Sequence, residues 1–219
     1  MIVAFSTTKK RFWNVIILPK RQGGSFDMGN QLALIDVLDE NGNPTGDAKT
    51  KREIHERGFW HNAAHVWIYN SKCEILLQLR AKDKDSYPGL WDISVAGHTD
   101  SGETPIQSAV REMKEEIGLN LEFGKLEPEG TYIISQPIVG TGWQDNEIGH
   151  VYFYKYVGSV DDLLMPDGEV EKLEFIPIER FEREVNDAEL SKKYVPYLPL
   201  GEYYGWVVRE IRNRAVGAH

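Results

Sequence analysis

Three glutamates, Glu112, Glu115 and Glu116, stand at positions i, i+3 and i+4. On a helix that spacing gathers them on one side. Carboxylates crowded together in this way repel one another, and a divalent cation turns the repulsion into coordination. Hard carboxylate oxygens suit Mg²⁺ or Mn²⁺, and Mg²⁺ is commonly shared between a few carboxylates and the phosphates of a substrate. The plainer reading is a solvated acidic face on which Arg111 pairs with Glu115. Against it stands the run just ahead of the helix, Gly97-His98-Thr99-Asp100-Ser101-Gly102-Glu103, which fixes glycines and acids at set distances from the three glutamates.

The element that positions them is a helix over residues 105–117. Thr104 suits the N-cap, Pro105 the first helical position, and Gln107 completes a capping box. Gly118 is a C-terminal stop. Ile106, Ala109, Val110, Met113 and Ile117 repeat at helical spacing and line one face, with the glutamates beside that stripe. Strands are expected at Leu32–Leu38, Ala63–Tyr69, Glu74–Leu79, Trp91–Val95, Tyr132–Ile134, His150–Val157 and Leu173–Ile178. Turns fall at Asn41-Gly42-Asn43-Pro44 and Asn70-Ser71-Lys72. A helix is expected from about Glu179, and an amphipathic one over Tyr203–Arg214 with Trp206, Val207 and Ile211 inward. Strands and helices mix without regular βαβ alternation, which predicts an α/β fold with a mixed sheet and helices on its faces.

With 219 residues, 41% hydrophobic and 27% charged, the chain is globular and long enough to bury a core without disulfides. A net charge of −9 argues against nucleic-acid and membrane-surface partners, which select a basic face. It leaves room for a small phosphate ligand held by a local cation. Cys73 is the only cysteine, so no intramolecular disulfide forms and a cytoplasmic setting is expected. Lys9, Lys10 and Arg11 precede the apolar stretch Phe12 to Leu18, but Asn14 interrupts it and no cleavage site follows. Residues 1–27 are read as an N-terminal extension and 28–219 as a single domain. The Pro- and Tyr-rich stretch Tyr194 to Tyr204 reads as a loop, available to a homodimer interface.

The run Gly97, five residues, Glu103, seven residues, Arg111-Glu112-Met113-Lys114-Glu115-Glu116-Ile117-Gly118-Leu119 resembles the Nudix box at every defined position. The resemblance implies a Nudix fold, an α/β/α sandwich with a mixed β-sheet. It implies metal binding by Glu112, Glu115, Glu116 and the Gly97 carbonyl, with Glu103 and Arg111 bracing loop and helix. The chemistry implied is hydrolysis of a diphosphate linkage in a small, nucleotide-like substrate, with Mg²⁺ as cofactor and Mn²⁺ able to substitute. The cation neutralises phosphate charge and acidifies a bound water, and a carboxylate takes the proton. Glu115, Glu116 and, outside the box, Glu147 are the candidates for that base.

Over roughly 31–182 the chain also resembles isopentenyl-diphosphate isomerases. His61, His98, Asp145 and Glu147 match positions that bind metal there, and Arg80 and Lys84 match positions that grip the diphosphate. Arg80, Lys84 and His98 are therefore expected to contact substrate. His61 and His65, read on their own, are structural or substrate-facing. Trp143 and Tyr132 are equally suited to stacking on a base and to packing. The isomerase cysteine position is Ala96, which cannot move a proton, and the box is intact. Both departures favour hydrolysis over isomerisation. A ligand-sensing module without turnover would be expected to lose box glutamates, and none is lost.

Overall fold

In the computed structural model, which describes residues 33–166, 168–198 and 200–216, β3 (Trp60–Tyr69) is the hub of a nine-stranded sheet. Its side chains alternate between two cores, Val66 and Ile68 to one and Trp67 and Tyr69 to the other. That period of two is what a strand buried on both faces requires. Helix α2 (Pro105–Ile117) covers the first core with Ala109, Met113 and Ile117. Helices α3 (Ile178–Val185) and α4 (Leu200–Val216) cover the second with Phe181, Val185, Tyr203, Val207 and Ile211. The architecture is the expected α/β/α sandwich.

Two pairings of β3 matter for the site. It runs parallel to β8 (Trp143–Lys155) from Trp60↔Asn146 to Tyr69↔Lys155, which sets His61 beside Glu147. It runs antiparallel to β6 (Val95–His98), which sets Ala63 beside His98 and Ala64 beside Gly97. Around this hub lie the hairpin of β1 (Leu34–Leu38) and β2 (Pro44–Thr50), and β4 (Glu74–Arg80) between β5 (Trp91–Asp92) and β9 (Val170–Pro177). Strand β7 (Glu127–Ile138) pairs with β8. A short helix, α1 (Lys51–Arg57), joins β2 to β3.

Several expectations are corrected. The single strand expected over Trp91–Val95 is broken: β5 pairs with β4, and β6 has crossed to β3. At the break the Ser94 hydroxyl donates to Leu76 O at 2.6 Å and accepts from Ile68 N–H at 2.9 Å, doing the work of ladder bonds. β7 and β8 run well beyond the apolar stretches that signalled them, because hairpin pairing carries them through polar residues. β2 and α1 were not expected at all. Tyr194, Tyr197, Tyr203 and Tyr204 are buried in the chain's own core, so these rings are not an interface. Tyr132 stacks on Tyr203 at 4.3 Å between ring centroids and is core, not a base platform. The expectations for residues 1–27 and for Leu32 lie outside the described residues.

Candidate active site

The loop from β6 to α2 is built as its sequence dictates. Gln107 Oε1 accepts from both the N–H and the hydroxyl of Thr104 at 2.8 Å, and Gly118 closes α2 in the left-handed region at φ 70°. Arg111 lies between loop and helix. Its Nε and Nη2 reach Glu103, Nη2 also donates to the His98 carbonyl at 3.0 Å, and Nη1 donates to Glu112 at 2.7 Å and Glu115 at 3.0 Å. Gly97 is a steric necessity: a Cβ there would lie 2.1 Å from Glu112 Cδ and Oε1. Glu116 is buried, and its Oε2 accepts from Gln78 Nε2 at 3.1 Å and the Ala96 N–H at 3.2 Å. Burial, then the neighbouring Glu112, pushes Glu116 well above the usual carboxylate range, and burial pushes Glu112 up to about 7. A bound cation would relieve the cost of ionising carboxylates held this way.

A second group sits across β6. The rings of His55, His61 and His98 form a triangle with centroids 5.1 to 5.2 Å apart. His55 Nδ1 lies 3.0 Å from Lys51 O and His61 Nδ1 lies 3.1 Å from Phe59 O. A carbonyl accepts only, so each neutral ring carries its proton on Nδ1 and turns a bare Nε2 inward. His61 Nε2 is 3.7 Å from Asp145 Oδ1 and 4.0 Å from Glu147 Oε2; His55 Nε2 is 3.9 Å from Asp145 Oδ1. Among the described residues two groups of three place ligand atoms within 4.8 Å of one another: His55, His61 and His98, and His61, Asp145 and Glu147. The box glutamates form no such group among those residues. His61 Nε2 and Asp145 Oδ1 are buried with no hydrogen-bond partner, an arrangement that a bound cation satisfies. Burial keeps the imidazoles neutral, with His55 pushed down to about 4, His61 lowered and His98 lowered well below its usual value. Burial, then Glu147, holds Asp145 well above the carboxylate range. Neutral imidazole and anionic oxygen are the donors such an ion takes.

Three cations face these groups. Arg80, at the end of β4, donates from Nε to Ser86 O at 3.1 Å, from Nη2 to Ser86 Oγ at 3.2 Å and from Nη1 to Asp92 Oδ2 at 2.7 Å. Lys84 pairs with Glu169. Lys51 is lowered from its usual value by burial and then by Lys84. All three line one cavity of ≈ 450 Å³, together with His98, Glu112, Glu115 and Glu147.

Of the residues singled out in the sequence, Arg80, Lys84, Gly97, His98, Arg111, Glu112, Glu115 and Glu147 line this cavity. Glu103 stands behind Arg111, and Glu116 contacts the Ala96 backbone. Sequence reasoning missed Lys51, His55, Asp92 and Glu169. A signal for the first two was present: Thr50-Lys51-Arg52-Glu53 starts a capped helix, and Lys51 and His55 are four residues apart on it.

The NUDIX domain family matches residues 59–198. The chain is 36% identical over 184 residues to Nudix hydrolase 3 of Arabidopsis thaliana, covering 82% of this chain and 23% of that protein; it thus spans less than a quarter of that relative's length. It is 33% identical over 152 residues to an uncharacterized Nudix hydrolase of Clostridium acetobutylicum, covering 68% of this chain and 72% of that one. It is 37% identical over 145 residues to an isopentenyl-diphosphate Δ-isomerase of Pectobacterium atrosepticum, covering 65% of this chain and 75% of that one. In fold it is similar to a crystal structure from Deinococcus radiodurans, with a TM-score of 0.56 at 19% identity, covering 81% of this chain and 98% of that chain.

Proposed function

Because the chain belongs to the Nudix hydrolase family, we propose that it hydrolyses a diphosphate linkage in a small substrate with the help of divalent cations. The observation that carries this reading is the meeting, around one cavity, of three cationic side chains, Glu112 and Glu115 of the box, and a group of histidines and carboxylates whose ligand atoms lie close enough to hold a cation. The all-oxygen set, Glu112, Glu115, Glu116 and the Gly97 carbonyl, suits Mg²⁺. The mixed set, His55, His61, His98, Asp145 and Glu147, suits Mn²⁺ or another first-row cation, since imidazole favours the transition metals. Bound there, a cation neutralises phosphate charge and acidifies a water.

The protein's own residues do the rest. Arg80 keeps one N–H on each terminal nitrogen for phosphate oxygens. Lys51 and Lys84 add point charges, and Lys84 exchanges Glu169 for the substrate. Gly97 leaves room for Glu112, and Arg111 holds Glu112 and Glu115 in place. Of the three carboxylates expected to take the proton, Glu115 and Glu147 line the cavity and Glu116 is buried; Glu115→Gln and Glu147→Gln, compared in turnover, separate the first two as proton acceptor. Ile138, Tyr87 and Tyr197 give the cavity apolar and aromatic wall for an organic group. We favour a nucleoside diphosphate linked to a second moiety.

The isomerase relative favours a second reading, double-bond migration in isopentenyl diphosphate. Ala96 opposes it, having no proton to move, and Cys73 lies in the turn between β3 and β4 rather than on the cavity wall. The test is a panel of nucleoside diphosphates, dinucleoside polyphosphates, nucleotide sugars and isopentenyl diphosphate, each with Mg²⁺ and Mn²⁺. Cation-dependent cleavage of a diphosphate is expected. Absence of cleavage across the panel, or double-bond migration in its place, overturns the reading.

A further inference from the structure

Four buried side chains run in a row from the cavity to the C-terminal helix. Trp67 Nε1–H donates to the Tyr203 hydroxyl oxygen at 3.1 Å, that oxygen lies 2.8 Å from His65 Nδ1, and His65 Nε2 lies 2.8 Å from Glu147 Oε1. Trp67 and Tyr203 are 0% exposed and His65 2%, so bulk water does not serve them, and Glu147 meets the cavity. One direction along the row gives every hydrogen an acceptor. An indole N–H can only donate. The Tyr203 oxygen accepts it, which leaves the hydroxyl's one hydrogen for His65 Nδ1. With Nδ1 accepting, the neutral imidazole carries its proton on Nε2, and Nε2–H faces Glu147 Oε1 at 2.8 Å.

We propose that His65 is a positioning residue for Glu147, held in its Nε2–H tautomer by Tyr203 of α4, so that Glu147 turns its other oxygen to the cation site. The proposal rests on the reading of Glu147 as part of the metal-binding group. Three observations support it. The Glu147 oxygen farther from His65, Oε2, is the one on the side of the histidines, 4.0 Å from His61 Nε2. Gly149 on β8 makes room for the ring, since a Cβ there would lie 2.9 Å from His65 Cε1 and 3.0 Å from Nδ1. Finally, Nδ1 meets a different kind of partner at His65, a hydroxyl, than at His55 and His61, a carbonyl. Those two put Nδ1–H on carbonyls and bare Nε2 inward, as ligands do. His65 has no lone pair facing the cluster and serves as a donor to a ligand. Such outer groups fix the orientation of the ligand they touch.

The experiment measures Mn²⁺ binding to the metal-free full chain by calorimetry, beside thermal unfolding. His65→Leu, which removes the donor, is expected to weaken Mn²⁺ by about 10- to 100-fold. His65→Gln, whose side-chain N–H can reach Glu147, should recover most of that loss. Tyr203→Phe keeps the ring and removes the hydroxyl; it should weaken Mn²⁺ in the wild-type background and add nothing in the His65→Leu background, because it acts through His65. A purely packing role predicts lower melting temperatures with unchanged Mn²⁺ affinity, and that result in folded His65→Leu and Tyr203→Phe overturns the proposal. His61→Ala tests the underlying reading separately: if it leaves Mn²⁺ binding intact, the histidine group is not the cation site, and the role of His65 falls with it.

Discussion

Replacing Arg80 with lysine keeps one positive charge and removes a planar fork. A guanidinium has five N–H groups, and three of them are already used on Ser86 and Asp92. One remains on each terminal nitrogen, a pair shaped for two phosphate oxygens. A lysine can keep the Asp92 pair, but it cannot serve Ser86 and a phosphate as well. A hydrogen bond to a charged group contributes ~1.5–3 kcal/mol, so losing one phosphate contact predicts a fall of roughly 10- to 150-fold in kcat/KM. Alanine is the harsher change. It strands Asp92, 2% exposed, with only the Tyr197 hydroxyl and the Ile93 N–H as partners, and breaking a buried pair costs about 3–5 kcal/mol of stability. The assay is steady-state kinetics on Arg80→Lys beside a Mn²⁺ titration and thermal unfolding. Ground-state binding shows as a raised KM at near-constant kcat, and a contact made only in the transition state shows as a lowered kcat. Unchanged kcat and KM with a lowered melting temperature would refute the phosphate contact and leave Arg80 as the partner of Asp92 alone.

Glu116→Gln should leave the fold intact and lower turnover by at least about a hundredfold, through loss of charge from the metal-binding face; near-normal turnover with unchanged metal dependence sinks that role. Ala96→Cys should not create an efficient isomerase, because a thiol needs an activating partner and a pocket shaped for an isoprenoid; robust conversion of isopentenyl diphosphate by this one change shows the expectation to be wrong. Glu112 makes stability depend on pH in the metal-free protein. Burial raises its carboxyl from 4.5 to about 7, so its contribution is fully present below pH 4.5 and is lost as pH rises through about 7. Metal-free Glu112→Gln should therefore gain on wild type across that window and hold a constant lead above it; a flat difference in melting temperature over the same pH range contradicts this.

What was legible in the sequence was local. The capping residues, apolar stripe and terminal glycine of α2 are written within fifteen residues of one another, and the loop that precedes it has spacing specific enough to identify. Asp92 shows where local reasoning stops. In the sequence Asp92 and Ser94 alternate with Trp91, Ile93 and Val95, a pattern that suits a half-exposed strand, yet both are buried. Each is inward because a distant partner meets it: Arg80 and Tyr197 for Asp92, and the backbones of β3 and β4 for Ser94. The histidine group was out of reach for a similar reason. It depends on the parallel register of β3 with β8, which sets His61 beside Glu147 across some eighty intervening positions. The tail tyrosines read as surface because Pro and Tyr suit loops, and the hydroxyls that make their burial tolerable, such as Tyr204 to Val195 O and Tyr194 to Glu184, are tertiary contacts.

The missed helix α1 links the two halves of the site. Seven residues are too few to hold a helix by propensity, and α1 is fixed from outside. Thr50 and Glu53 cap its start reciprocally, Gly58 ends it in the left-handed region, and Ile54 is fully buried against Ile35 and Val37. One turn then places Lys51 and His55 on the same side. The Lys51 carbonyl accepts His55 Nδ1–H, so the backbone of a phosphate-facing lysine sets the tautomer of a metal-facing imidazole. Under the proposed function, a cation for the diphosphate and a ligand for the metal share one turn, and their separation is fixed by helix geometry rather than by two independent side-chain searches. The proposed function is in this way compatible with a net charge of −9: the positive groups are few, but Lys51 is fixed on the same turn as His55, and Arg80 and Lys84 line the same cavity.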